Sequence, residues 1–361
     1  MKTDQLLDDV LSGYRMSIDD AELLLKANGP AVWKIACAAD ELRRLKVGDV
    51  VTYVRNQNIH VTNICKNLCR FCAFGVPWDH DDAYEEGIDY IREMACLAVE
   101  REVTEICFLS GVHPDYSLEN YEEIIGCVHG IAPHIDLHTA SPEEICFMAE
   151  KGGFSIREVL ERLRDAGLGT LQGTAAEILV DDVRRIICPA KVNTRTWIDI
   201  IREAHDLGLK STSTIMYGTI ETERNRAEHL SILRDIQDDT AGFTELVPLP
   251  WVQHNTSLFR SGRAVYGPTG REDILMFAVS RLFLDNIDHI QIPWGKVGLK
   301  LTAAGLMSGG DDMGGTMFVD SVSTDAGASE AGYFDPDCMK HIAEDIGRIL
   351  RQRTTDYRLI G

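Results

Sequence analysis

The chain is short of positive charge: 36 lysines and arginines stand against 57 aspartates and glutamates, a net charge of −21 over 361 residues. That deficit argues against nucleic acid or an anionic membrane surface as the main partner. No apolar run approaches the roughly 18–20 residues of a membrane span. Met1-Lys2-Thr3-Asp4 leads into an acidic amphipathic stretch, not a secretory signal. Prolines are few, at 11, and no low-complexity tract breaks the chain. Ten cysteines could suggest disulfides, but Cys96, Cys107, Cys127, Cys146 and Cys188 stand singly in apolar segments, where buried free thiols are the common outcome. What is present is a globular composition, 45% hydrophobic and 26% charged, with ample length for a core. Free thiols fit a reducing cytoplasm.

Residues 1–50 read as an N-terminal helical cap. Leu6, Leu7, Val10 and Leu11 form one apolar stripe, and Ser17-Ile18-Asp19-Asp20 opens a second helix with an N-cap serine and early acids. From residue 51 strands and amphipathic helices alternate. The predicted strands are Ile59–Ile64, Glu105–Leu109, His134–His138, Gly169–Gln172, Ser211–Met216, Phe243–Val247, His289–Ile292 and Thr316–Val319. Eight such units over residues 51–335 predict an α/β chain folded as a (β/α)8 TIM-type barrel, with its site at the carboxyl ends of the strands. Residues 336–361 are expected to form a closing helix and tail. His254–Arg271 is a long polar interruption expected to lie as a loop over the site.

The first predicted strand runs into Cys65-Lys66-Asn67-Leu68-Cys69-Arg70-Phe71-Cys72, a CxxxCxxC loop. Three thiols are an incomplete set, since a structural zinc site or a plain ferredoxin cluster takes four ligands. A [4Fe–4S] cluster held by three thiolates would leave one iron for a non-protein ligand. The alternative is a zinc loop completed by His60 or His80.

Polar residues and glycines collect after the other strands as well. Ser110-Gly111 precedes His113-Pro114-Asp115, and Gly111 would permit close approach of a ligand to the backbone. Asp136 and His138 share one strand face and should point into the barrel. Ser141, Pro142 and Glu144 form a capping box and are read as structural. Thr174 and Glu177 fit either a second capping box or a ligand contact. Met216-Tyr217-Gly218 with Glu221, Glu245 before Pro248, Trp294 before Lys296, and Asp311 in a glycine-rich acidic loop complete the candidates.

The cysteine spacing and Phe71 resemble the radical SAM superfamily, in which the open iron binds the amino and carboxylate groups of S-adenosylmethionine. Thr62-Asn63-Ile64-Cys65, Phe71-Cys72-Ala73-Phe74, Gly173-Thr174-Ala175-Ala176-Glu177-Ile178-Leu179, Met216-Tyr217-Gly218 and Gly242-Phe243-Thr244-Glu245 narrow the likeness. They resemble the family that joins L-tyrosine to 5-amino-6-(D-ribitylamino)uracil in coenzyme F420 biosynthesis, with the futalosine-pathway enzymes of menaquinone synthesis as relatives. The resemblance implies a [4Fe–4S] cluster on Cys65, Cys69 and Cys72, and S-adenosylmethionine contacts from Phe71, Ser110, Gly111, Glu177, Met216, Gly218 and Glu221. It implies a 5′-deoxyadenosyl radical that takes hydrogen from tyrosine, whose Cα–Cβ bond breaks so that the hydroxybenzyl fragment adds to C5 of the uracil. Under that reading His113, His138 and Glu245 are the catalytic candidates, and Asp136, Trp294 and Asp311 contact substrate. An electron donor and a second radical SAM enzyme that takes the product onward are the implied protein partners. A futalosine-type or altered substrate stays open, as does a non-enzymatic iron–sulfur or zinc protein.

Overall fold

The computed structural model describes residues 2–318, 321–328 and 332–360. Three helices, Lys2–Leu11, Ile18–Leu25 and Pro30–Val47, open the chain. The second starts because Ser17 accepts a hydrogen bond from the Asp20 amide while Asp20 accepts one from the Ser17 amide. Leu6, Leu7 and Val10 are buried on the first. The second and third helices pack on two later ones, Glu223–Thr240 and Gly270–Phe283. Helix Gly270–Phe283 is buried at every position from Asp273 to Phe283, as expected of a helix sandwiched between two layers.

Among the described residues nine strands follow: β1 (Val50–Val54), β2 (Asn56–Thr62), β3 (Glu105–Ser110), β4 (Asp136–Thr139), β5 (Thr170–Leu171), β6 (Lys210–Tyr217), β7 (Phe243–Pro250), β8 (Asp312–Gly315) and β9 (Ile349–Arg353). Strands β2 to β7 form one parallel sheet in sequence order. The ring continues through parallel bridges from Leu246 to Ile290 and from Gln291 to Asp312. It closes where the Asn58 amide donates to the Met317 carbonyl, 3.0 Å away. The result is an eight-membered barrel with helices outside it, the expected (β/α)8 class.

Two of the predicted strands differ. His289–Ile292 is reduced to isolated bridges at Ile290 and Gln291. The eighth strand begins four residues earlier than Thr316, inside the glycine-rich stretch read as flexible; Val319, its predicted end, lies outside the described residues. Packing explains the shift. A Cβ on Gly315 would stand 2.0 Å from Asn56 Oδ1, and one on Gly314 would stand 2.5 Å from Gln291 Nε2. The glycines serve close strand approach, not mobility.

The end of the chain was expected to be helical through Ile349. Its helix runs Pro336–Asp345, and after Gly347 the chain enters β9. Strand β9 pairs in parallel with β1, which pairs on its other side with β8. This small sheet carries Arg353 under the barrel lumen. No helix among the described residues is long and apolar enough to cross a membrane.

Candidate active site

The cysteine loop leaves β2 and is pinned at both ends. The Cys65 amide donates to the Val76 carbonyl and the Val76 amide to the Asn63 carbonyl, each at 2.9 Å. Within the loop the Cys72 amide reaches the Cys69 carbonyl at 3.0 Å, and Gly75 N–H points at Cys72 Sγ from 3.5 Å. The turn after β3 lies directly against this loop. A Cβ on Gly111 would sit 2.3 Å from the Ile64 carbonyl oxygen and 3.0 Å from Cys65 Cβ. Glycine at 111 therefore seats the cysteine loop itself.

Cys65, Cys69 and Cys72 line one cavity of about 280 Å³. All three are free thiols, and burial pushes those of Cys69 and Cys72 up. Iron binding would have to overcome that cost by stabilising the thiolates. Among the described residues no group of three or more His, Cys, Asp or Glu converges on a single ion. His80 lies on an exposed loop, its Nδ1 accepting from the Asp82 amide, and the His60 ring lies tilted beside Phe74, centroids 6.1 Å apart. Three thiols ranged round a cavity suit a polynuclear cluster, each meeting one iron.

The same cavity is lined by Phe71, Ser110, Gly111, Glu177 and Met216. Glu177 is not in a capping box. It has φ +46° in a tight turn, and the next helix begins only at Asp181. Its carboxylate holds Lys191 Nζ at 2.7 Å, and that ammonium stands 5.4 Å above the Phe71 ring. Burial opposes charge on Lys191, but Glu177 together with Cys69 and Cys188 outweighs it and raises the pKa of the ammonium. Lys191 gave no signal in the sequence, since it lies between strands and outside any motif. Gly218 and Glu221 are not in the lining. Glu221 is spent on its own turn, accepting from the Gly218 and Thr219 amides and pairing with Arg226.

A second cavity of similar volume, about 280 Å³, lies in the barrel lumen. Its surface is mostly apolar, set with amides and hydroxyls such as Asn56, Asn58, Thr212, Thr214 and Gln291, and with His138, Glu105, Glu245 and Arg353. His138 Nδ1 is 2.9 Å from Thr170 Oγ1, and that hydroxyl donates to Asp136 Oδ1 at 2.8 Å. Thr170 can donate only once, so it accepts from His138 Nδ1–H and leaves Nε2 as the ring's acceptor. Burial lowers the pKa of His138 and keeps the ring neutral. Burial also raises Asp136, to about 6. Asp136 thus stands behind His138, outside the lining.

Glu245 is buried, and burial raises its pKa to about 7 despite Arg353 nearby. Its Oε2 accepts from the Tyr357 hydroxyl and lies 3.4 Å from Arg353 Nη2. Arg353 in turn grips Asp312 with Nε and Nη2, at 2.5 and 3.1 Å. Sequence reasoning singled out neither Arg353 nor Tyr357, because both come from a segment read as a tail.

The remaining candidates lie elsewhere. His113 is buried, stacked on Tyr116 at 4.5 Å, with Nδ1 accepting from the Asp115 amide. Trp294 is buried in a core cluster with Phe334, its indole donating to the Gly315 carbonyl at 3.0 Å. Asp311 is buried between Arg281 and His289, at 2.5 and 2.6 Å. Burial opposes its ionisation, but the Arg281 guanidinium, the bond to His289 and the Ile290 amide hold its pKa below the usual carboxylate range. None of these three lines either cavity.

Residues 59–233 match the Radical SAM superfamily, and residues 240–360 match the CofH/MqnC C-terminal region. The 5-amino-6-(D-ribitylamino)uracil–L-tyrosine 4-hydroxyphenyl transferase of Methanoculleus marisnigri is 54% identical, over 99% of this chain and 97% of that one. The protein of the same name from Methanospirillum hungatei is 50% identical, over 98% and 96%. FO synthase of Mycobacterium leprae is 44% identical over 98% of this chain, which spans only 42% of that protein. Among solved structures, methylornithine synthase (PylB) aligns with a TM-score of 0.74 at 17% identity, covering 98% of both chains. The FeFe-hydrogenase maturase HydG of Carboxydothermus hydrogenoformans aligns at 0.75 and 15%, covering 99% of this chain and 81% of that one. At such identities the likeness concerns the fold.

Proposed function

Because this chain belongs to the radical SAM superfamily, we propose that it joins the 4-hydroxybenzyl group of L-tyrosine to 5-amino-6-(D-ribitylamino)uracil, a step of coenzyme F420 biosynthesis. The observation that carries the reading is one continuous arrangement. A three-thiol loop opens on a cavity that shares part of its wall with a second, largely apolar cavity set with several amides and hydroxyls. The near full-length identity to transferases of that name supports the substrate pair.

Cys65, Cys69 and Cys72 would hold the [4Fe–4S] cluster, with Phe71, Ser110, Gly111, Glu177 and Met216 around S-adenosylmethionine. When bound, these groups would supply a 5′-deoxyadenosyl radical for hydrogen abstraction from the amino acid. The protein's own share is positioning and exclusion of water. The inner cavity suits the uracil and its ribityl chain, whose donors and acceptors need partners once desolvated. His138 Nε2 can accept a proton there, and Glu245, poised near neutrality, can give or take one. Asp136 acts through Thr170 as the group that fixes the His138 tautomer.

An external one-electron donor must reduce the cluster. The proposed protein partner is a second radical SAM enzyme that takes the product onward.

The test is an anaerobic reaction of the reconstituted protein with S-adenosylmethionine, reductant, tyrosine and the ribitylaminouracil, read by mass spectrometry. A tyrosine-dependent hydroxybenzyl adduct formed alongside 5′-deoxyadenosine is expected. Formation of 5′-deoxyadenosine with no adduct would keep the radical chemistry and reject the substrate pair.

A further inference from the structure

The two cavities share six lining residues: Leu109, Gln172, Thr174, Leu249, Lys296 and Val322. This junction is where an amino-acid substrate has to lie. Its hydrogen must be reachable from the thiol-lined cavity, and its transferred fragment must reach an acceptor in the lumen. Three of the six are aliphatic and suit an aromatic ring, two are neutral polar groups, and one is a cation. From this we infer that Lys296 binds the carboxylate of the amino-acid substrate, with the ring held between Leu109 and Leu249. The inference rests on the tyrosine reading above.

The argument is one of place and charge. A carboxylate withdrawn from water needs a partner. The lining holds two other cations, each confined to one cavity. Lys191 faces only the thiol-lined cavity, against Glu177, and Arg353 only the lumen, against Asp312. A carboxylate on either would draw the amino acid wholly to one side. Lys296 alone among the cations of the lining reaches both.

Its position is built in. The adjoining Trp294 is buried and bonded to the Gly315 carbonyl at 3.0 Å, which fixes the short helical turn Trp294–Val297 against β8. At the other end, Lys296 Nζ donates to the buried Ser323 Oγ at 2.8 Å. Trp294, the substrate candidate named from sequence, thus serves as the anchor, and the residue two places on faces the cavities.

The experiment measures equilibrium binding of L-tyrosine and of tyramine, which lacks only the carboxylate, to the anaerobic holoenzyme loaded with S-adenosylmethionine. The wild-type protein is expected to prefer tyrosine by roughly 10- to 100-fold, the range of a charge-assisted contact. Lys296→Gln should erase that preference while leaving tyramine affinity unchanged, and Lys296→Arg should keep part of it. A preference retained by Lys296→Gln, or an equal loss for both ligands, overturns the assignment, as does a wild-type protein indifferent to the carboxylate. The wild-type adduct assay separates the two levels. If no hydroxybenzyl adduct forms, the tyrosine reading itself has failed. If the adduct forms and Lys296→Gln keeps its selectivity, only the role of Lys296 has.

Discussion

The mouth and the floor of the site are built in opposite ways. At the mouth, three thiols come from eight consecutive residues, and backbone hydrogen bonds with two close-packed glycines hold them in place. At the floor, Asn56, His138, Glu245, Asp312 and Arg353 come from five different strands and meet only through the barrel. A cofactor common to many substrates can be gripped by one local motif. A particular pair of substrates needs groups from many directions, and no short segment supplies them.

The contrast is sharpest if each half can be disabled alone. The largest effect is expected from Cys69→Ser, which should remove most of the roughly four irons per chain and abolish 5′-deoxyadenosine formation. Arg353→Met should do the reverse, keeping iron and uncoupled cleavage of S-adenosylmethionine while adduct formation falls. It leaves Asp312 buried without its guanidinium, so it should also cost about 3–5 kcal/mol in denaturant unfolding. Loss of iron from Arg353→Met would mean that the two halves are not separable.

Gly111→Ala tests the seating of the mouth. The added Cβ meets a backbone carbonyl at 2.3 Å, which cannot swing away, so about 2 kcal/mol of destabilisation and poorer iron loading are expected. Normal loading would show that the loop can shift without cost.

The effects on pH dependence differ in sign. Glu245 has its folded pKa raised from 4.5 to about 7, so the folded state keeps a proton longer and its stability falls as pH rises through that window. Glu245→Gln should flatten the slope between pH 4.5 and 7. His229 lies behind the mouth, accepting from the Leu179 amide on Nδ1 and donating to the Thr214 carbonyl from Nε2. Burial lowers its pKa from 6.5 to about 3, so the unfolded chain binds the proton first and stability falls as pH drops from 6.5 toward 3. His229→Gln should remove that acid-side loss; an unchanged slope would assign it to other groups.

The barrel class and strands β2 to β7 were legible because short strand-like segments alternate with amphipathic helices, whereas β1 was not among the predicted strands. Strand β8 was not, because Asp312-Met313-Gly314-Gly315 carries the residue types of a loop and becomes a strand only where its glycines pass Asn56 and Gln291. Strand β9 was missed because its Leu350-Arg351-Gln352-Arg353 is polar and reads as tail until it finds β1. The candidate site divides along the same line. Phe71, Ser110, Gly111 and Met216 all line the mouth, each within a residue or so of a strand end or in the cysteine loop. His113, Trp294 and Asp311 also follow or flank strands, but they turn away into packing and ion pairs.

Asp311 and Asp312 show where the boundary lies. They are neighbours in the sequence and alike in chemistry. One faces Arg281 and His289 behind the wall, and the other holds Arg353 beneath the lumen. The cysteine spacing by itself was enough to propose the cluster loop, because ligands eight residues apart or fewer need no distant part of the chain to bring them together. Which of two adjacent carboxylates serves the site was decided only by tertiary structure. Successive side chains of a strand point to opposite faces, and the register against β1 chooses between them.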